Sequence, residues 1–199
     1  MNPRSPGAPD LAGIAALPLI QVPSGTSWVR IHLAQHGALW FGPRTQRPRN
    51  RFDDPEGIYK VCYLGTTLEA SFVETVLHEP PVPIVSLSDL ALQRWTELRV
   101  VQPLRLVQLH SHGFARLYTS SVIASGDHRH SRVWRRALWE HPEAPDGIEY
   151  RSSHDDSTFS IALFDRAKDA LEVGASHVLG ADRHRLAQLA ARYGFAVEP

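Results

Sequence analysis

The chain has 199 residues, with 21 Lys and Arg balanced by 21 Asp and Glu, so its formal net charge is zero. That length gives one domain with room for a real core, and the charge balance excludes the basic excess by which a nonspecific nucleic-acid binder displaces counterions. A single cysteine, Cys62, excludes an internal disulfide and suits a reducing cytoplasm.

Residues 1–25 are rich in Pro, Gly and Ala and carry an apolar patch over 11–22. Gly13 and Pro18 interrupt the patch and Asp10 precedes it, which is not the charged-then-apolar order of a signal peptide. No run reaches the length of a membrane span. The expected organisation is an extended arm, 1–25, lying on one domain, 26–199. Residues 26–33 read as a first strand, with Trp28, Arg30 and His32 on one face and Val29, Ile31 and Leu33 on the other. Arg44, Arg47 and Arg49 follow among prolines and glycines, a basic loop that is either simply solvated or laid over a ligand's phosphates.

Arg51 sits in a polar turn, and Tyr59 to Leu64 has the β-branched, aromatic and aliphatic content of a strand. Cys62 falls within it as a buried, inert thiol. Thr66 and Glu69 then have the spacing of a capping box, which predicts a helix starting at Thr66. Ala70, Val73 and Leu77 share a face of that helix, and Glu74 lies on the same face. A carboxylate there is either paired with a cation or held in a partly dry pocket with a raised pKa.

The prolines at 80, 81 and 83 stop the helix. Beyond them we expect a short strand at 84–87, a short helix at 88–94 and strands at 95–101 and 104–110. A mostly helical stretch follows at 119–139, with Val133, Trp134, Ala137 and Leu138 inward and Arg132, Arg135 and Arg136 outward. His128, His130 and His141 lack the fixed ligand spacing of a metal site, so no metal is expected. Residues 148–152 form a strand delivering Ser152, and 159–164 a buried strand. Ser152 lies in no GxSxG elbow, so it is read as a hydrogen-bonding group, not a nucleophile. A strand at 171–173, a helix at 182–193 between Asp182 and Gly194, and a strand at 195–197 complete the chain.

Arg30, the Arg51-Phe52-Asp53 run, Tyr63 eleven residues before Glu74, and the run 146–152 ending in Ser152 together resemble the RES domain. That family is named for its Arg, Glu and Ser, and its studied members are bacterial toxins that degrade NAD. The resemblance runs from about Trp28 to about Asp165. Relatives often have Gly before the second Arg; here it is Asn50, a residue that tolerates left-handed backbone. The resemblance implies an α+β fold of mixed β-sheets packed by helices around a central cleft, related to the ADP-ribosyltransferases. It also implies NAD as substrate with no further cofactor, water or inorganic phosphate as acceptor, an Xre-type antitoxin as partner, and a cytoplasmic location.

By that resemblance Arg30 and Arg51 grip NAD, Tyr63 packs on it, Glu74 stabilises the ribosyl cation, and Ser152 orients the ligand or Glu74. The residue types suit the task. Guanidinium groups fork onto phosphate oxygens, a tyrosine ring stacks on nicotinamide or ribose, and a carboxylate faces oxocarbenium charge. Two alternatives stay open: ADP-ribosyl transfer to a macromolecule, and a noncatalytic NAD-binding domain.

Overall fold

The computed structural model describes residues 11, 14, 16–42, 50–77, 84–126 and 128–199, with no side-chain description at 128–130 and 132. The arginines at 44, 47 and 49, the prolines at 80–83 and the histidine side chains of 128 and 130 therefore lie outside the described residues. Among the described residues, eight strands make one mixed sheet: β1 (Leu19–Val22), β2 (Ser27–Leu33), β3 (Val61–Gly65), β5 (Gln93–Val100), β6 (Leu104–Leu109), β7 (Gly147–Arg151), β8 (Phe159–Phe164) and β9 (Leu171–Val178). Their order is β1-β6-β7-β8-β3-β2-β5-β9. Among its neighbours only β6 and β7 run parallel. A separate parallel pair joins β4 (Ile84–Ser86) to β10 (Ala196–Glu198). This is the expected α+β class of mixed sheets and helices.

The sheet is almost divided in the middle. β3 pairs with β8 over five residues, and β2 with β5 over seven, but β2 and β3 share only the Val29–Gly65 pair. Helix α1 (Leu68–Thr75) starts at that single pair. The Ser71 hydroxyl donates to the Val29 carbonyl at 2.6 Å. A Cβ on Gly65 would meet the Ser71 amide at 2.5 Å and the Thr67 carbonyl at 2.8 Å, so the helix sits on bare backbone here. The split leaves Arg30 and Tyr63 on strands that diverge around a cleft.

Among the described residues, three apolar clusters hold the layers. α3 (His112–Arg116), α4 (Val122–Ser125) and α5 (His128–Glu140) cover one side of the sheet, where Leu117, Ile123, Trp134 and Leu138 meet Val107, Ile148 and Phe164. Trp28, Cys62, Leu64, Leu98, Leu106 and Leu163 form a second cluster. α1, α2 (Leu87–Ala91) and α6 (Arg183–Tyr193) pack Phe72, Leu90, Leu186 and Leu189 onto Ile31 and Trp95. Asp182 caps α6 by accepting from the Arg185 amide at 3.0 Å, and Gly194 ends it at φ 72°, both as expected.

Several expectations need correcting. Residues 19–22, inside the expected arm, form the edge strand paired with β6, and Leu11 and Leu17 are buried in the core. The cap of α1 is Thr67, whose hydroxyl accepts from the Ala70 amide at 3.2 Å. Thr66 is still tied to the sheet through the Phe159 carbonyl, which delays the helix by one residue and breaks the Thr66–Glu69 box. Residues 112–116, between the expected strand and the expected helical stretch, form α3. β9 runs to Val178 instead of stopping at 173, because backbone pairing with β5 carries a strand whose own side chains are mostly exposed. Arg135, expected on the outer face of α5, is buried. It lies close enough to Tyr59 to act on its phenol, as do the buried carboxylates of Asp53 and Asp54.

Candidate functional site

A cavity of about 570 Å³ opens where β2 and β3 part. Arg30, Arg51, Tyr63, Glu74 and Trp40 all line it, with Tyr150, Ser153 and His154. Four of the five residues singled out from the sequence therefore meet on one wall system, although 44 positions separate Arg30 from Glu74. The fifth, Ser152, touches the cavity through its partner.

Arg30 projects from β2 on the Trp28 side of the strand. Its Nη1 donates to the carbonyls of Ala38 and Trp40 at 2.6 and 3.0 Å and lies 3.3 Å from Cys62 Sγ. Neither Nε nor Nη2 forms a bond among the described residues, so one edge of the guanidinium is anchored while the group still lines the cleft. Cys62 is fully buried, and burial pushes its thiol up, which leaves it inert.

Arg51 sits on a turn that is tied down from three sides. Asp53 Oδ2 accepts from the Asn50 amide at 2.8 Å. The Tyr63 hydroxyl accepts from the Phe52 amide and donates to Asp53 Oδ1, both at 3.0 Å. Ser131 of α5 donates to the Arg51 carbonyl at 3.0 Å, and Arg51 Nη1 donates to the Gly126 carbonyl at 2.5 Å. Tyr63 thus has two positions to hold at once: its ring borders the cavity and its hydroxyl fixes the Arg51 turn. Burial, then the Asp53 charge, holds its phenol well above the ordinary range, so it stays protonated and can donate.

Glu74 is half-buried on α1. Its Oε1 accepts from the Ser152 hydroxyl at 2.5 Å and from the Ser153 amide at 3.1 Å. Among the described residues it has no cation partner, so the ion-pair reading of this carboxylate does not hold. Ser152 is buried, and its oxygen accepts from the His154 and Asp155 amides at 3.2 and 3.3 Å. With both lone pairs engaged, its proton is directed at Glu74. Of the two partners expected for Ser152, Glu74 is the one it contacts directly.

The turn that carries Ser152 is anchored by Asp155. Its Oδ1 takes the Ser157 amide and hydroxyl, and its Oδ2 takes the Tyr193 hydroxyl at 2.9 Å and Arg192 at 3.2 Å. The Ser157 hydroxyl first, with the Tyr193 hydroxyl helping, holds the Asp155 carboxyl below its ordinary value of 3.8. A depressed folded-state pKa contributes stability that is fully present above 3.8 and is lost as pH falls through the folded value. Asp155→Asn is therefore expected to lower the melting temperature at neutral pH by roughly 2–4 °C and to melt with the wild type in strong acid. Thermal scans across pH check this; a gap that persists at the lowest pH would count against the anchor.

Several site residues had no signal in the sequence reading. Tyr150 is buried against Phe52, with ring centroids 5.2 Å apart, and faces the cavity. Burial, then the Glu74 charge, pushes its phenol up, so it too stays neutral. Trp40 stands 6.0 Å from the Arg30 guanidinium carbon, its ring over Gly42, where a Cβ would overlap it at 1.9 Å. Tyr150 lay inside the run that ends in Ser152, but its inward direction needed the β6–β7–β8 pairing. Among the described residues no group of three or more His, Cys, Asp or Glu is arranged to hold a metal, and no helix is long and apolar enough to cross a membrane.

A family model described as the RES domain matches residues 27–186. A probable toxin, y4kH, of Sinorhizobium fredii is 36% identical over 110 residues, covering 55% of this chain and 84% of that protein. Among solved structures, the crystal structure of the M. tuberculosis MbcT–MbcA toxin–antitoxin complex contains a chain similar in fold. The two superpose with a TM-score of 0.66 at 16% identity, over 86% of this chain and 92% of that one.

Proposed function

This chain belongs to the RES domain family, and from that premise we propose that it is a toxin-type enzyme that degrades NAD at the bond between nicotinamide and ribose. The observation that carries the reading is the Glu74 carboxylate, held by Ser152 and Ser153 in a cleft that also presents Arg30 and Arg51. As nicotinamide leaves, positive charge develops on the ribose. A fixed carboxylate in a partly dry cleft stabilises that charge more than it stabilises the neutral sugar. Serine donors hold Oε1 in place, and Oε2 accepts no bond among the described residues, so it is left to face the ligand.

The two guanidinium groups bind the pyrophosphate, and the Tyr63 ring packs on the nicotinamide side. Water or inorganic phosphate then takes the ribosyl carbon. No redox cofactor is needed, because NAD is consumed as a glycoside. An enzyme of this kind requires a neutralising partner in its own cell, and we propose an antitoxin for that role; the fold relative described above was solved as a toxin–antitoxin complex.

The test is nicotinamide release from NAD by the purified chain, with and without inorganic phosphate. Release that accelerates with phosphate and yields a phosphorylated ADP-ribose assigns phosphate as acceptor, and phosphate-independent release assigns water. NAD binding without any release would overturn the enzymatic reading in favour of a binding domain.

Arg51→Lys separates the phosphate grip from the fold. Lysine keeps the charge but lacks the planar fork and cannot also reach the Gly126 carbonyl in the same way. Loss of a charge-assisted bond costs about 1.5–3 kcal/mol, so NAD should bind roughly ten- to a hundredfold more weakly. Calorimetric titration checks it, and unchanged affinity would remove Arg51 from the site.

A further inference from the structure

On the face of β7 opposite Tyr150, the structure holds a second chemically organised group. The chain leaves β6 at Leu109, passes His110 and turns at Ser111 into α3. Ser111 has φ 49° and ψ −132°, a backbone conformation that a residue with a side chain rarely adopts. Two residues on, a Cβ at Gly113 would lie 1.9 Å from the Gln108 carbonyl oxygen, so the tight turn requires glycine there. A strained serine on a sharp strand-to-helix turn, with glycine two residues later, is the backbone form that presents a nucleophilic hydroxyl to solvent. Ser111 is exposed.

The side chains complete the arrangement. Ser111 Oγ is 3.0 Å from His110 Nδ1, and His110 Nε2 is 3.0 Å from Glu149 Oε1. The histidine is buried and packs on Phe159 with ring centroids 4.7 Å apart. A carboxylate only accepts, so Nε2 carries the proton of the neutral ring, and Nδ1 is left to accept from the serine. None of these three residues lines the cleft around Glu74.

We infer that Ser111, with His110 as base and Glu149 orienting it, forms a second nucleophilic site that accepts acyl groups from short carboxylic esters. Ser111 Oγ bonds to the carbonyl carbon as its proton passes to His110 Nδ1. The carbon–oxygen bond to the leaving alcohol breaks, and that alcohol takes the proton from His110. Water then repeats the sequence, freeing the carboxylic acid and restoring the serine.

The full chain is treated with p-nitrophenyl acetate and, separately, with a fluorophosphonate reagent, and adducts are located by peptide mass spectrometry. The expected result is an adduct on Ser111 that forms far faster than on the exposed Ser120 and Ser121. Ser111→Gly suits the positive φ, so it should abolish the adduct and the ester cleavage without lowering the melting temperature. Nicotinamide release should be unchanged in this variant. Glu149→Gln can offer an amide donor to His110 and favour the wrong tautomer, so labelling should slow at least about a hundredfold. An absent Ser111 adduct, or one forming no faster than on Ser120 and Ser121, overturns the inference. So does a folded Glu149→Gln chain that labels at the wild-type rate; should that variant not fold, the Ser111 comparison decides alone.

Discussion

Glu74→Gln is expected to give a folded chain that binds NAD and hardly releases nicotinamide. Glutamine keeps the length of the side chain and an acceptor oxygen for the Ser152 hydroxyl and the Ser153 amide, so the seat of residue 74 survives. Packing of the helix is untouched, because Ala70, Phe72 and Val73 carry its buried face. Only the charge is lost. Removing one preorganised electrostatic group costs about 3–4 kcal/mol, or roughly a hundred- to thousandfold in rate. A purely structural Glu74 predicts the reverse: a lower melting temperature with near-normal turnover per folded molecule. Both quantities measured on one preparation decide, and near-wild-type turnover would sink the catalytic assignment.

The parts of this site that the sequence makes legible are those with a local signature. Arg30 sits in an alternating strand whose inward side is marked by Trp28, and Glu74 sits on an apolar helical face, so each stands out by position alone. The strands at 104–109 and 159–164 read correctly because buried β-branched and aliphatic runs carry their own signal. What escapes is set by partners far away in the chain. Thr67 caps α1 in place of Thr66 because Thr66 bonds to Phe159, 93 residues on. β1 and the far half of β9 are strands because β6 and β5 pair with them, not because of their own patterns. Asp53 lies in the loop around Arg51, yet it is the most enclosed carboxylate described, because Tyr63 lies across from it. The His110–Glu149 contact spans 39 positions, so no spacing rule could have found it.

Asp53→Ala is expected to have the largest effect on stability, and it also tests how the site is held. Asp53 is 1% exposed and accepts from the Asn50 amide and the Tyr63 hydroxyl. Alanine leaves the buried Tyr63 hydroxyl without its acceptor, at about 1–3 kcal/mol, while the Asn50 amide belongs to an exposed residue. For a chain of this length that corresponds to a melting temperature lower by roughly 2–12 °C. The Arg51 turn is fastened to β3 largely through this carboxylate, so substrate binding should weaken at temperatures where the variant is still folded. Glu74 and Ser152 lie on α1 and the turn after β7, and neither bonds to Asp53. On the roles proposed above, the kinetic signature is a raised KM with kcat largely kept, the opposite of Glu74→Gln. Steady-state rates measured well below the melting transition distinguish the two. A fall in kcat with KM unchanged would mean that Asp53 acts on the chemical step, and the division between a phosphate-gripping turn and a cation-stabilising helix would fail.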